Sequence, residues 1–286
     1  MWITWGAGRT AGRCPAAGEA LQLLLIGERI NGMFRDIREA IEKRDPAPIA
    51  AWARRQADAG AHYLDISTGP AAAAEDQPEI MGWLVRVAQE AAGLPCCLDT
   101  VNPDAMEAGL RVHRGKAILN STSADQERMD RCFALAVRYE AAVIGLAMNA
   151  RGVPKDANDR LALAMELVAN ADAHGVPMED LFIDPLVLPV NVAQEHAVEV
   201  LETIRQVKLL ASPPPRTVVG LSNISQRTRE RSLINRTYLV MAMAAGLDAA
   251  ILDVEDTALL EAAATARILL NREVYCDSFL RTFRKR

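Results

Sequence analysis

The sequence has few cysteines and histidines, and their spacing gives no sign of a metal site. The 286-residue chain contains five cysteines without a C-x-x-C pair, and four histidines without an H-x-H or H-E-x-x-H pattern. An odd cysteine count in a chain of this length argues against a disulfide framework and favours a reducing compartment. We therefore expect a cytoplasmic protein that binds no metal ion itself.

Long basic runs and long apolar runs are also missing. The chain has 32 basic and 37 acidic residues, a net charge of −5, and no basic stretch that would follow a phosphate backbone. No apolar stretch approaches the ~18 residues of a membrane span. Neither nucleic acid nor a membrane is an expected partner. Because no linker or shift in composition divides the chain, we expect one domain.

From residue 23 onward, short apolar segments alternate with longer amphipathic ones, as in a βα repeat. The predicted strands are 23–27, 62–66, 95–98, 116–119, 142–147, 181–183, 217–221 and 249–252. The predicted helices are 46–60, 79–92, 125–139, 159–174, 193–210, 231–245 and 257–270. Eight such units predict a single-domain (β/α)8 TIM barrel over residues 23–286, with residues 1–22 as an N-terminal extension. A doubly wound open sheet is the main alternative.

Polar residues follow nearly every predicted strand, at the end of a β/α barrel where active sites form. Most of them are Asp or Asn, and no Ser–His–acid combination occurs among them. A cup of short carboxylates and amides suits a flat heterocycle with several N–H donors and acceptors, such as a pterin or a purine. Capping of the next helix is the alternative role for Asp99, Asp184 and Asp253.

Several of these strand ends resemble one known family. The resemblance lies in the segments L-L-I-G-E-R-I-N (24–31), Y-L-D-I (63–66), C-L-D-T-V-N-P (97–103), K-A-I-L-N-S-T-S (116–123), I-D-P-L-V-L-P (183–189), G-L-S-N-I-S (220–225) and L-V-M-A-M-A-A-G-L-D-A-A-I-L-D (239–253). Together they resemble the methyltetrahydrofolate:corrinoid protein methyltransferases, which share a pterin-binding barrel with dihydropteroate synthase and methionine synthase. The segments occur in order, and the likeness covers about residues 23–284.

The resemblance implies that 5-methyltetrahydrofolate is a substrate, and that a corrinoid (cobalamin) arrives on a separate partner protein. It also implies a homodimer. It assigns Asp99, Asn120 and Asp184 to the pterin ring, and places Asn223 as the catalytic residue beside the methyl-bearing nitrogen. Gly220 and Ser222 would shape the same loop. Arg231 is assigned to the substrate site as well, with an ion pair on the rim as its alternative role.

The sequence also departs from the family in places. Ser67 stands where the family usually has Asn, and Asn149-Ala150 stands where it commonly has an acidic pair. The corrinoid-binding motif D-x-H-x-x-G is not matched, because the run that begins at Asp172-Ala-His174 ends in Pro177. Two other functions stay open at this point, a dihydropteroate synthase-like pterin enzyme and a folate-binding subunit without catalytic activity.

Overall fold

The structure, a computed structural model that describes residues 23–275, is a closed barrel of parallel strands. Within these residues each strand pairs with the next one in chain order, and the eighth pairs with the first. The predicted (β/α)8 barrel is therefore confirmed, and the open-sheet alternative is wrong. The predicted N-terminal extension, residues 1–22, lies outside the described part of the chain.

Helices separate all consecutive strands. The strands are β1 (Leu24–Asn31), β2 (Tyr63–Ser67), β3 (Cys96–Asp99), β4 (Ile118–Ser123), β5 (Ala142–Leu146), β6 (Leu181–Asp184), β7 (Arg216–Gly220) and β8 (Ala249–Leu252). The α-helices are α1 (Arg35–Lys43), α2 (Pro46–Asp58), α3 (Gln77–Ala92), α4 (Pro103–Val112), α5 (Gln126–Arg138), α6 (Ala157–His174), α7 (His196–Val207), α8 (Arg231–Ala245) and α9 (Thr257–Leu269). Among residues 23–275, no helix is long and apolar enough to span a bilayer.

The barrel has two separate apolar cores because the two faces of its strands are both buried. The larger core fills the space between strands and helices. The smaller core plugs the barrel interior, and its buried members are Ile26, Cys97, Ile118, Ala142, Ile144, Phe182, Val218 and Ala249. A plugged interior leaves only the two ends of the barrel open for a polar site.

Strand periodicity places the polar site directly above the interior plug. Side chains two residues apart point to the same face of a strand, so the residue two positions after an inward apolar residue also points inward. Ile26 is followed in this way by Glu28, Cys97 by Asp99 and Phe182 by Asp184. The interior thus changes from apolar to polar within one layer, at the C-terminal ends of the strands.

A β-bulge in β1 interrupts this alternation. Gly27 pairs with Leu64 and Ile30 pairs with Ile66, so two residues of β1 lie opposite the single residue Asp65 of β2. Glu28 keeps the inward direction set by Ile26, and the extra residue turns Ile30 outward into the core between strands and helices.

The buried side chain of Gln56, on α2, holds the bulge in place. Its Oε1 accepts a hydrogen bond from the backbone N–H of Arg29 at 3.0 Å. It reaches that position only because residue 27 has no side chain, since a Cβ on Gly27 would lie 2.3 Å from Oε1. The Arg29 side chain turns away from the barrel and forms an ion pair with Asp36 at 2.8 Å.

We predict that Gly27→Ala lowers the free energy of unfolding by about 2 kcal/mol, because Gln56 must move and leave the Arg29 N–H unpaired. Urea denaturation measures the effect. Gly82→Ala is the matched control, since a Cβ there meets no atom closer than 3.5 Å and Ala favours the interior of α3. Equal stability of Gly27→Ala and the wild type would contradict the role given to Gln56.

Candidate active site at the C-terminal ends of the strands

The structure brings all seven predicted site residues to the same end of the barrel. Asp99 and Asn120 are direct register partners on β3 and β4, and Asp184 ends β6. Gly220 ends β7, Ser222 and Asn223 lie in the single 3₁₀ turn that follows it, and Arg231 begins α8. Their roles in binding and catalysis stay predictions.

Helix capping, the alternative role for the acids, is wrong. The residues that precede α4, α7 and α9 are Asn102, Glu195 and Asp256, so Asp99, Asp184 and Asp253 all lie too early in the chain to cap a helix. The three acids are therefore available to a ligand or to one another.

Two carboxyl groups lie close together on β2 and β3, with Asp65 in the middle of β2 and Asp99 at the end of β3. Asp65 is buried, and its Oδ1 accepts a hydrogen bond from Asn120 Nδ2 at 3.1 Å. Burial and the nearby charge of Asp99 raise the pKa of Asp65 well above its ordinary value. Burial also raises the pKa of Asp99, against the effect of a hydrogen bond with Ser67. The pair therefore holds a proton at pH values where an isolated aspartic acid has lost it.

Asp184 is buried and fixed by its own loop. Its Oδ1 accepts a hydrogen bond from the backbone N–H of Leu186 at 2.8 Å, and Leu186 adopts a left-handed backbone with φ 67°. Burial raises the pKa of Asp184 to about 7, although this hydrogen bond and the buried Arg160 guanidinium both favour the charged form. A rigid carboxyl that titrates near neutrality is typical of a functional site.

The loop between β7 and α8 carries Asn223 at the exposed rim of the cup. A Cβ on Gly220 would lie 3.0 Å from Asn223 Nδ2, so a glycine there lets the amide lie close to the backbone. Arg231 donates hydrogen bonds to the Ser222 carbonyl at 3.4 Å and to Ser225 Oγ at 3.2 Å. Arg231 has no acid within ion-pair distance among the described residues, although its charge lowers the pKa of Glu28, and its hydrogen bonds hold this loop.

Asp65 and Glu28 were not among the site residues predicted from the sequence. Glu28 accepts a hydrogen bond from Ser222 Oγ at 2.7 Å, and burial raises the pKa of its carboxyl. A signal was present for both, because Asp65 is the one charged residue of the largely buried β2 and Glu28 directly follows the apolar segment 23–27.

The cup is an assembly of carboxyl and amide groups with different depths and charges. Asp65 lies deepest, while Asn223 and Asp253 are exposed at the rim. In residues 23–275 no three His, Cys, Asp or Glu side chains are grouped to hold a metal ion.

A separate groove of about 980 Å³ between α2 and α9 contains none of the predicted site residues. The buried acids with raised pKa values lie in the cup and not in this groove, so the cup is the candidate site.

The two positions that depart from the resembled family differ in their surroundings. Ser67 is buried, and its Oγ accepts a hydrogen bond from the Gly69 N–H at 3.3 Å while also bonding Asp99. Asn149 caps a tight turn on the rim, where its Oδ1 accepts from the Arg151 N–H at 3.0 Å. Ser67 therefore affects the acids of the cup directly, whereas Asn149 shapes its edge.

Comparisons with known proteins give a consistent family. The model of the family described as pterin binding enzyme matches residues 33–253. The methylcorrinoid:tetrahydrofolate methyltransferase of Eubacterium limosum is 26% identical over 265 residues, which cover 92% of this chain and 97% of that protein. The methionine synthase of Mycobacterium tuberculosis is 29% identical over 250 residues, 83% of this chain but only 21% of the synthase.

Solved structures share the fold at lower identity. The dihydropteroate synthase of Coxiella burnetii in complex with pteroic acid has a TM-score of 0.68 and 14% identity, covering 88% of this chain and 94% of that one. The Xanthomonas albilineans synthase in complex with 7,8-dihydropteroate has a TM-score of 0.63 and 17% identity, covering 87% and 93%. Since the family model spans most of the barrel and its polar cup, this chain belongs to the pterin-binding enzyme family.

Proposed function

We propose that this chain is a methyltransferase that moves a methyl group between 5-methyltetrahydrofolate and the cobalt of a corrinoid held by a separate protein. The observation that carries the proposal is the alignment with the Eubacterium limosum methyltransferase along nearly the full length of both chains. The polar cup supports it, because its groups suit a pterin and one amide reaches the rim where a second reactant would approach.

Asp99, Asn120 and Asp184 are proposed to hold the pterin ring. A pterin presents ring N–H and amino donors beside a carbonyl acceptor, and carboxylates with one amide match such a mixed edge. Asp184 is fixed by the Leu186 N–H and Asn120 is linked to Asp65, so these groups are oriented before the ligand binds. Preorganised groups lose little conformational entropy on binding.

Methyl transfer to cobalt(I) breaks the bond between carbon and the pterin nitrogen and forms a carbon–cobalt bond with the electron pair of cobalt. The electron pair of the broken carbon–nitrogen bond stays on the pterin nitrogen, which takes up a proton. We propose that Asn223 donates a hydrogen bond to this nitrogen as its charge develops. The amide is neutral and does not supply the proton, which we assign to solvent through the polar cup.

Two assays test the proposed function. Calorimetry measures 5-methyltetrahydrofolate binding with and without a chelator, and we expect equal affinities, because the proposed ligand contacts involve no metal. Absorbance follows methylation of free cob(I)alamin by 5-methyltetrahydrofolate in the presence of the full chain. Folate binding without methyl transfer would indicate a non-catalytic folate subunit. Formation of dihydropteroate from its pterin and aminobenzoate precursors would indicate a dihydropteroate synthase-like enzyme.

A further inference from the structure

Glu28 is an inward-pointing acid whose surroundings depend on three features of the fold. The bulge in β1 keeps Ile30 from pointing inward after it, Gln56 holds that bulge through the Arg29 N–H, and the Glu28 carboxyl meets Ser222, which follows β7, the next strand but one in the barrel. A strand without the extra residue would keep strict alternation, so Ile30 would also point inward. The local structure of β1 therefore allows an inward Glu28 without placing Ile30 over the site.

The contact with Ser222 joins two residues that lie 194 positions apart in the sequence. Ser222 Oγ donates to Glu28 Oε1 at 2.7 Å, and the next residue along the chain is Asn223. On the other side, Arg231 holds the Ser222 carbonyl and Ser225 Oγ. The 3₁₀ turn that carries Asn223 is thus braced from β1 by an acid and from α8 by a guanidinium.

We propose that Glu28 is a positioning residue, which fixes the Asn223 amide through the hydroxyl of Ser222. This inference rests on the proposed function, since it concerns the rate of the same methyl transfer. Asn223 is exposed at the rim, and a side chain in a single 3₁₀ turn keeps one orientation only if its neighbours hold the turn. The Ser222 hydroxyl provides such a restraint one residue away.

The role requires an accepting oxygen and does not require a negative charge. Burial is the largest cause of the raised pKa of Glu28, the hydrogen bond from Ser222 opposes it, the nearby Asp253 raises the pKa further, and Arg231 lowers it. Asp65 lies across the bulge and is also an acid with a raised pKa. A glutamine keeps the length and the accepting oxygen of Glu28 without its charge, so Glu28→Gln should preserve the hydrogen bond from the Ser222 hydroxyl.

Kinetics of methyl transfer to cob(I)alamin by the full chain test the inference. We expect Glu28→Ala and Ser222→Ala each to lower kcat roughly tenfold, with a KM for 5-methyltetrahydrofolate changed less than about threefold. Glu28→Gln should retain the wild-type kcat. The double variant should be no slower than the slower single variant, because both substitutions remove the same bond. Ser222→Ala removes only one hydroxyl, so it tests the bond even if Glu28→Ala folds poorly.

Three outcomes would overturn the inference: a wild-type kcat for Glu28→Ala, additive losses in the double variant, or a Glu28→Gln variant as slow as Glu28→Ala. The last result would mean that the acid acts through its charge or its proton. Hydrogen exchange of the peptide spanning 220–226 gives a readout independent of catalysis, and we expect roughly tenfold faster exchange in Glu28→Ala but not in Glu28→Gln. If the wild type transfers no methyl group, the proposed function fails, and hydrogen exchange still decides whether Glu28 braces the loop.

Discussion

Asn223→Ala should slow methyl transfer on the order of 10²-fold while leaving 5-methyltetrahydrofolate affinity almost unchanged. A hydrogen bond that strengthens as charge develops on the pterin nitrogen lowers the barrier, whereas one made equally to the bound substrate appears as weaker binding. Removing one such preorganised donor typically costs on the order of 10²-fold in rate. Single-turnover methylation of cob(I)alamin at saturating folate, together with a folate titration, separates the two effects.

The matched control is Asn158→Ala, the same substitution at an exposed position in the first turn of α6. It should leave both the rate and the affinity at wild-type values. A wild-type single-turnover rate for Asn223→Ala at saturating folate would show that Asn223 does not stabilise the transition state. A rate loss that disappears as folate is raised would instead make Asn223 a binding residue.

The fold could be predicted from the sequence because its parallel strands are continuous apolar segments. All eight predicted strands overlap observed ones, and 249–252 has the observed bounds. The prediction for β1 ended at residue 27, although the strand continues to Asn31, because a bulge and inward polar residues break the apolar pattern. The predicted helices did not include α1, a short and highly charged helix whose N-cap residue Phe34 makes no side-chain cap. They also did not include α4, although Asn102 and Pro103 form a recognisable helix start.

The candidate site could be predicted less completely. Strand-end position and family resemblance pointed to Asp99, Asn120 and Asp184, which the fold places at one end. The roles of Glu28 and Asp65 depend on contacts with residues distant in sequence, namely Ser222 and Asn120. No local pattern specifies such contacts. The raised pKa values of the buried acids are likewise a property of the closed barrel, since the same residues in an unfolded chain would have pKa values near the ordinary ones.

Asp184→Asn should weaken 5-methyltetrahydrofolate binding on the order of 10²-fold or more while making the free protein more stable above neutral pH. The amide loses the charge-assisted hydrogen bonds that a carboxylate makes to pterin N–H groups, and its own NH₂ group opposes those donors. The free energy of unfolding is expected to be higher in the variant, because above neutral pH the wild type must keep a buried carboxylate ionised. Loss of function with a gain in stability is expected where an active site stores unfavourable electrostatics.

The pH dependence of that gain follows from the pKa of Asp184, which is about 7 in the folded protein against an ordinary value near 3.8. A raised pKa gives the folded wild type a stabilisation that is full below the unfolded pKa and is lost as pH rises toward 7. The difference between variant and wild type should therefore be small at pH 4, grow to at most about 4 kcal/mol near pH 7, and stay constant above it. Urea denaturation across this range measures it, with the exposed helix residue Asp172→Asn as the control. A pH-independent difference, or wild-type folate affinity in Asp184→Asn, would contradict a buried, ionised Asp184 in the pterin site.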